Sequence, residues 1–249
     1  MNKLLSISVV LLLLSLIGCK KENDIVPSTG GVGTTTPTGN YAVFSSRQAI
    51  LVNGTNVSNQ PNFSNAYVSN SILINDNPTV GSLLNVGSVS LNGTIFQKNG
   101  FSVSNMYRDS TTNTHNTPHN WIISGSGSVS SFSYSNTNPY PTYTGYNSIA
   151  DSFVVSNNIS IPLNNYNGAD YIQTYFVTIS GTSTNTAIQT LTNNPSSLTF
   201  TASDLATIGS GKTVALIIDF YKNNVQNING KNYNFRTGYQ VVKSNIKFK

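Results

Sequence analysis

From Tyr41 to the C-terminus, apolar and polar residues alternate with a period of two almost throughout. Val89, Leu91, Gly93 and Ile95 alternate with Ser88, Ser90, Asn92 and Thr94. Trp121 and Ile123 face one way, Ile122 and Ser124 the other. Phe153 and Val155, then Ile159, Ile161 and Leu163, take turns with polar neighbours. Tyr175, Val177 and Ile179 are interleaved with Thr174, Phe176 and Thr178. Val214, Leu216, Ile218 and Phe220 give the strongest strand pattern, and Tyr239, Val241, Ile246 and Phe248 close the chain. Asn/Gly/Ser clusters stand between these runs, so strand formers are punctuated by turn formers. No amphipathic helix of useful length appears. A single helical turn is predicted at Ala202–Ala206, with Ser203 as its N-cap. The pattern predicts an all-β chain.

Composition points the same way. Charged residues are 8% of the chain and aromatics 10%, the reverse of a disordered composition. The one glutamate, Glu22, lies outside the patterned region, which therefore lacks a common helix former. The net charge is +5. The basic residues after the first segment are scattered until Lys243, Lys247 and Lys249, which read as lysines guarding a solvated edge strand. No basic stripe with interleaved aromatics suggests nucleic acid.

The first residues carry a different pattern. Lys3 precedes an apolar run from Leu4 to Leu14, the length of a signal-peptide core and too short to span a bilayer comfortably. It ends in Leu16-Ile17-Gly18-Cys19, which resembles a lipobox, the processing site of bacterial lipoproteins. The resemblance implies cleavage before Cys19 and attachment of lipid to its thiol. Two or three acyl chains there would make release very slow, since each buried methylene contributes roughly 0.8 kcal/mol. The charged cluster Lys20-Lys21-Glu22-Asn23-Asp24 resembles the surface-export signal of Bacteroidota lipoproteins. Cys19 is the only cysteine, so no internal disulfide forms and packing alone must hold the fold.

These segments give an expected organisation: signal peptide 1–18, lipidated cysteine and Gly/Thr/Pro tether 19–40, an N-terminal β domain 41–146 and a C-terminal β-sandwich 147–249. Residues 147–249 are about the size of one immunoglobulin-like sandwich. The stretch from Leu198 to Phe220, a strand, a helical turn, a Gly break and a strong strand, resembles a corner of such domains. The whole chain resembles Bacteroidota cell-envelope lipoproteins with one or two immunoglobulin-like β-sandwich domains. That resemblance implies an outer-membrane, surface-exposed address and brings no activity with it.

Motifs for chemistry are sparse. Gly209-Ser210-Gly211-Lys212-Thr213 is similar to the end of a phosphate-binding loop. It lacks the upstream glycine, and Val214 to Phe220 reads as a strand where a helix is needed, so no nucleotide is expected. His115 and His119 have the i,i+4 spacing of a zinc pair, but Pro118 opposes a helix and no glutamate is near, so no metal or other cofactor is expected. A carboxylate pair would have to come from Asp76, Asp109, Asp151, Asp170, Asp204 and Asp219, which are widely spaced. No Gly-x-Ser-x-Gly elbow is present. The most unusual stretch runs from Phe132 to Tyr146. Tyr134, Tyr140, Tyr143 and Tyr146 crowd around Pro139 and Pro141, a density that suits either a ligand surface or a packed connection between domains. The sequence thus predicts a membrane-anchored binding or adhesion module for a glycan or protein ligand, with these tyrosines as candidate contacts. The alternatives are a secreted hydrolase with a cryptic site and a structural subunit of an envelope complex.

Overall fold

The computed structural model describes residues 39–73, 76, 82–98, 105–109, 116–178, 186–192 and 195–249. Cys19, the lipobox and the tether through Thr38 lie outside the described residues, as does His115. The N-terminal strands are β1 (Ala42–Asn53), β2 (Asn56–Val68), β3 (Val89–Leu91), β4 (Thr94–Ile95), β5 (Gln97–Lys98), β6 (Tyr107–Asp109), β7 (His119–Ile123) and β8 (Phe132–Asn136). They are followed by β9 (Thr142–Tyr143), β10 (Ser152–Phe153), β11 (Ile159–Pro162), β12 (Tyr166–Asn167), β13 (Tyr171–Thr178), β14 (Thr186–Thr192) and β15 (Ser197–Phe200). The chain ends with the one-turn helix α1 (Ala202–Leu205), β16 (Thr213–Lys222), β17 (Val225–Ile228) and β18 (Lys231–Phe248). The fold is all-β and of sandwich type.

One ten-stranded sheet organises the molecule, in the order β14-β13-β16-β18-β1-β2-β6-β5, with β17 and β10 added along β18. β18 is its spine. One of its edges pairs first with β17 and then with β16; the other pairs in parallel with β1 from Tyr233 to Ser244 and then with β10. The C-terminal strand is therefore central, not the lysine-guarded edge expected from its charge. Lys243 is buried at 3% exposure and its Nζ lies 2.8 Å from Asp151. Asn245, with φ of +62°, bulges this strand opposite Ala215. The extra residue restores the facing, so that Ile246 and Phe248 join Val241 in the core instead of pointing to the other side.

Two smaller layers cover one face of this sheet. The β4-β3-β7-β8 sheet lies over the N-terminal half, where Phe44, Ala66, Tyr233 and Phe235 meet Leu91, Trp121 and Ile123. The β11-β15 pair, the β9-β12 pair and α1 lie over the other half, where Ile50, Val52, Phe176, Leu216, Ile218 and Phe220 meet Ile161, Leu198, Phe200 and Leu205. Both β1 and β18 put residues into both cores. The position near Asn147 lies in a 3-10 turn, Gly145–Ser148, between the halves in sequence; in space the large sheet runs across it without a break.

Local chemistry explains several details. Two hairpins close on Asn-Gly pairs with both residues at positive φ, Asn92-Gly93 and Asn229-Gly230, the turn that matches strand twist. The first of them interrupts the alternation expected from Val89 to Ile95 and leaves Ile95 71% exposed. The N-cap of α1 is Thr201, not Ser203: Asp204 N–H donates to Thr201 Oγ1, and Thr201 N–H donates back to Asp204 Oδ2 at 2.7 Å. The Gly-Ser-Gly-Lys-Thr run leads directly into β16, with Gly209 and Gly211 in the left-handed region.

Candidate functional site

The aromatic stretch forms a seam between the two covering layers. Tyr134, half-buried on β8, packs on Phe235 with ring centroids 4.2 Å apart. Tyr140 places its hydroxyl 2.6 Å from Ser46 Oγ and takes the ring of His119 on edge at 4.8 Å. Tyr143 is 1% exposed, packs on Phe220 and donates its hydroxyl to the carbonyl of Pro162. Tyr146 packs against the same core. Tyr143 and Tyr146 thus share one core, with their rings edge to face at 6.2 Å, while Tyr134 packs in the other core and Tyr140 meets Ser46 and His119. Pro139 contributes by its carbonyl, which accepts from Thr237 Oγ1 at 2.8 Å. Only Tyr143 of the four is buried, and Tyr134, Tyr140 and Tyr146 are half-buried along a segment that crosses the sheet between two cores.

Beneath this segment lies a buried polar row. Thr237, Ser46, Ser64 and Asp109 are register partners on successive strands, and each is at most 3% exposed. Ser64 Oγ donates to Ser46 Oγ at 3.3 Å, and His119 is fully buried above. The residue types suit acyl-transfer chemistry, but their burial removes them from a substrate. Among the described residues, no group of three or more His, Cys, Asp or Glu stands together as a metal site would require. Four of the other aspartates have structural partners: Asp76 accepts from Asn40 and Asn234, Asp151 meets Lys243, Asp204 caps α1 and Asp219 pairs with Arg47.

The opposite face of the large sheet holds a feature that the sequence pattern concealed. The chain's three arginines, Arg47, Arg108 and Arg236, lie on three strands, β1, β6 and β18, and all reach this face. Arg47 and Arg108 share the ring of Phe63, at 5.3 and 4.7 Å from its centroid, and Arg236 lies 4.5 Å over Tyr221. Arg47 Nη1 donates to Asp219 Oδ1 at 3.0 Å, and Gln240 donates to the same oxygen. Arg236 Nη1 donates to Tyr171 OH at 2.8 Å and lies 3.9 Å from Asp76. Burial pushes the Asp219 carboxyl above its usual range, against the pull of Arg47. Burial, reinforced by repulsion from Arg47, lowers the Arg108 guanidinium to about 10. In sequence the arginines are far apart and read as scattered. The available signal was that each sits in a strand-forming run.

The third feature is an open cleft of about 760 Å³ where β12 and its flanking loops meet the end of β16. Asn164, Asn165, Asn167 and Gly168 line it from one side, Pro195 and Ser196 from another, with Tyr166, Asp170 and Lys222. The asparagines are exposed. Tyr166 is half-buried against Phe220 at 5.5 Å between centroids. Asp170 is fixed by Lys222 Nζ and the Asn223 N–H, both donating at 2.7 Å.

Comparison with known proteins finds no matching family model, no matching curated protein and no matching solved structure. Among the described residues, no helix is long and apolar enough to cross a membrane.

Proposed function

We propose that this chain is a lipid-anchored, non-catalytic binding module of the bacterial cell envelope, and that the cleft beside Asp170 takes a glycan. The observation that carries this reading is the cleft's composition: exposed asparagines, a tyrosine ring and a fixed Asp170–Lys222 pair around an open cleft. Amide and carboxylate groups match the paired hydroxyls of a sugar, and an aromatic ring offers a flat apolar surface at low entropic cost. The non-catalytic part is supported by the burial of Ser46, His119 and Asp109 and by the structural partners of most other aspartates. The anchor rests on the lipobox at Cys19.

The test has two arms. Full-length protein is probed on an array of bacterial and host polysaccharides; Asn167→Ala and Asp170→Ala should lose the signal while keeping the wild-type melting temperature. Unchanged binding in both variants would remove the cleft from consideration. Separately, Cys19→Ala should move the protein from the membrane pellet to the soluble fraction, and retention in the pellet would refute the anchor.

A further inference from the structure

We propose that Asn167, on the wall of the cleft, is a self-modification site: the Gly168 backbone nitrogen displaces its side-chain amide, and the residue becomes an aspartate or isoaspartate. An asparagine followed by glycine suits this chemistry best, because no side chain shields the glycine nitrogen. That nitrogen gives its proton to hydroxide and attacks Asn167 Cγ. A carbon–nitrogen bond forms there, and Nδ2 takes up a proton and leaves as ammonia. Water then opens the five-membered imide at either carbonyl. Nothing is oxidised or reduced, and water is the one co-reactant. Four Asn-Gly pairs lie among the described residues, and their surroundings separate them. Asn92 is held at both ends of its amide: Nδ2 donates to the Asn116 carbonyl at 2.9 Å, and Oδ1 accepts from the Asn120 N–H at 2.7 Å. Asn53 Oδ1 accepts from Asn245 at 2.9 Å. At Asn229 the nucleophile is engaged, since the Gly230 N–H donates to Asn227 Oδ1 at 3.2 Å. Asn167 and Gly168 are both exposed, and neither the Asn167 side chain nor the Gly168 N–H makes a hydrogen bond among the described residues. The pairing of β12 with β9 ends at Asn167, and a Cβ on Gly168 would meet only Pro141, at 3.8 Å, so the attack has room. The product matters because of its place. Asp170 and Lys222 offset each other in the cleft, so a carboxylate at position 167 gives it a net negative charge. The chain cannot restore the amide. The cleft therefore has a fresh, neutral form and an aged, acidic one, whatever ligand it takes.

The test is incubation of the full-length protein at mildly alkaline pH in heavy-oxygen water, one sample folded and one in urea. Chymotrypsin cuts after Tyr166 and Tyr171 and releases residues 167–171, in which Asn167 carries the one side-chain amide. Mass spectrometry reads its conversion to an acid that has taken up heavy oxygen. In the folded protein Asn167 should convert several-fold faster than Asn53, Asn92 and Asn229, and faster still as pH rises. In urea the four should convert at similar rates, because the bonds that hold the other three are gone. Asn167→Gln should keep its amide over the same period, since its side chain would have to close a larger ring. Conversion at Asn53, Asn92 or Asn229 as fast as at Asn167 in the folded protein would overturn the proposal, and so would the same ranking in urea. No ligand enters the measurement, so a failure here is distinct from a failure of the glycan reading.

Discussion

Tyr143 carries its hydroxyl into the interior, where it donates to Pro162 at 2.8 Å while the ring lies 4.9 Å from Phe220. Removing the ring empties a volume that neighbours held by two sheets cannot refill. Tyr143→Ala should therefore lower stability by about 3–5 kcal/mol. Tyr143→Phe should cost only about 1 kcal/mol plus the penalty of an unpaired carbonyl. Urea denaturation of the two variants separates packing from hydrogen bonding; equal losses would contradict this placement. The phenols also set the response to alkali. Burial raises the Tyr140 hydroxyl to about 12, partly offset by its bond to Ser46, and burial raises Tyr67, Tyr143 and Tyr171 further. Unfolded tyrosine ionises near pH 10, so the unfolded chain releases these protons first. The stability the phenols contribute is full below about pH 10 and is lost as pH rises toward their folded values. Arg108, lowered to about 10, acts in the opposite sense over the same interval, but it is one group against several. The melting temperature should thus fall steeply above about pH 10, together with a rise in phenolate absorbance. A flat profile would mean that the rings are solvated.

At the scale of the element, β18 shows what a sequence can and cannot reveal. Its apolar rhythm from Tyr239 to Phe248 marks a strand, just as Trp121 and Ile123 inward with Ile122 outward mark β7, where Ile122 is 52% exposed. Period two reports faces, and faces were legible. Neighbours were not. Whether a strand is an edge or a spine depends on pairing with partners far away, here Ala42–Asn53 in parallel with Tyr233–Ser244, and nothing local encodes that. The polar residues of β18 therefore looked like a solvent face, when Asn234, Gln240 and Lys243 are each at most 5% exposed. The tyrosine-rich stretch was conspicuous for the same local reasons, but only the seam between two cores explains where its rings go. The candidate cleft was silent in sequence because an Asn-rich loop is also what any turn looks like. Gly238 gives this strand a sharp test. It lies where Arg47 and Tyr221 flank the backbone, so Gly238→Val must push them apart. Overpacking of this kind costs roughly 1–3 kcal/mol, and Gly238→Ala should cost less. Chemical denaturation that found valine neutral would show that the face is looser than described.

For the whole molecule, the decisive feature is that two cores share one sheet. β1 places Ala42 and Phe44 in one core and Ile50 and Val52 in the other, and β18 does the same with Tyr233 and Phe235 on one side and Val241, Ile246 and Phe248 on the other. Neither half can lose its sheet without exposing the apolar face of its neighbour. With no disulfide to tie the halves, this continuity is the coupling, and it predicts a single cooperative transition in place of two. Trp121, the only tryptophan, is buried in the N-terminal core against Phe44 at 5.4 Å and so reports that half alone. Far-UV circular dichroism reports all strands. The two midpoints should coincide in urea. Phe200→Ala offers the stronger test, because Phe200 is fully buried in the other core and packs on Phe176 at 4.9 Å. Its loss should destabilise the fold by about 3–5 kcal/mol. If the sheet couples the halves, the Trp121 midpoint must move with the circular dichroism midpoint by the same amount. A shift in circular dichroism that leaves Trp121 fluorescence at its wild-type midpoint would mean that the halves unfold independently and that β1 and β18 connect them without coupling them.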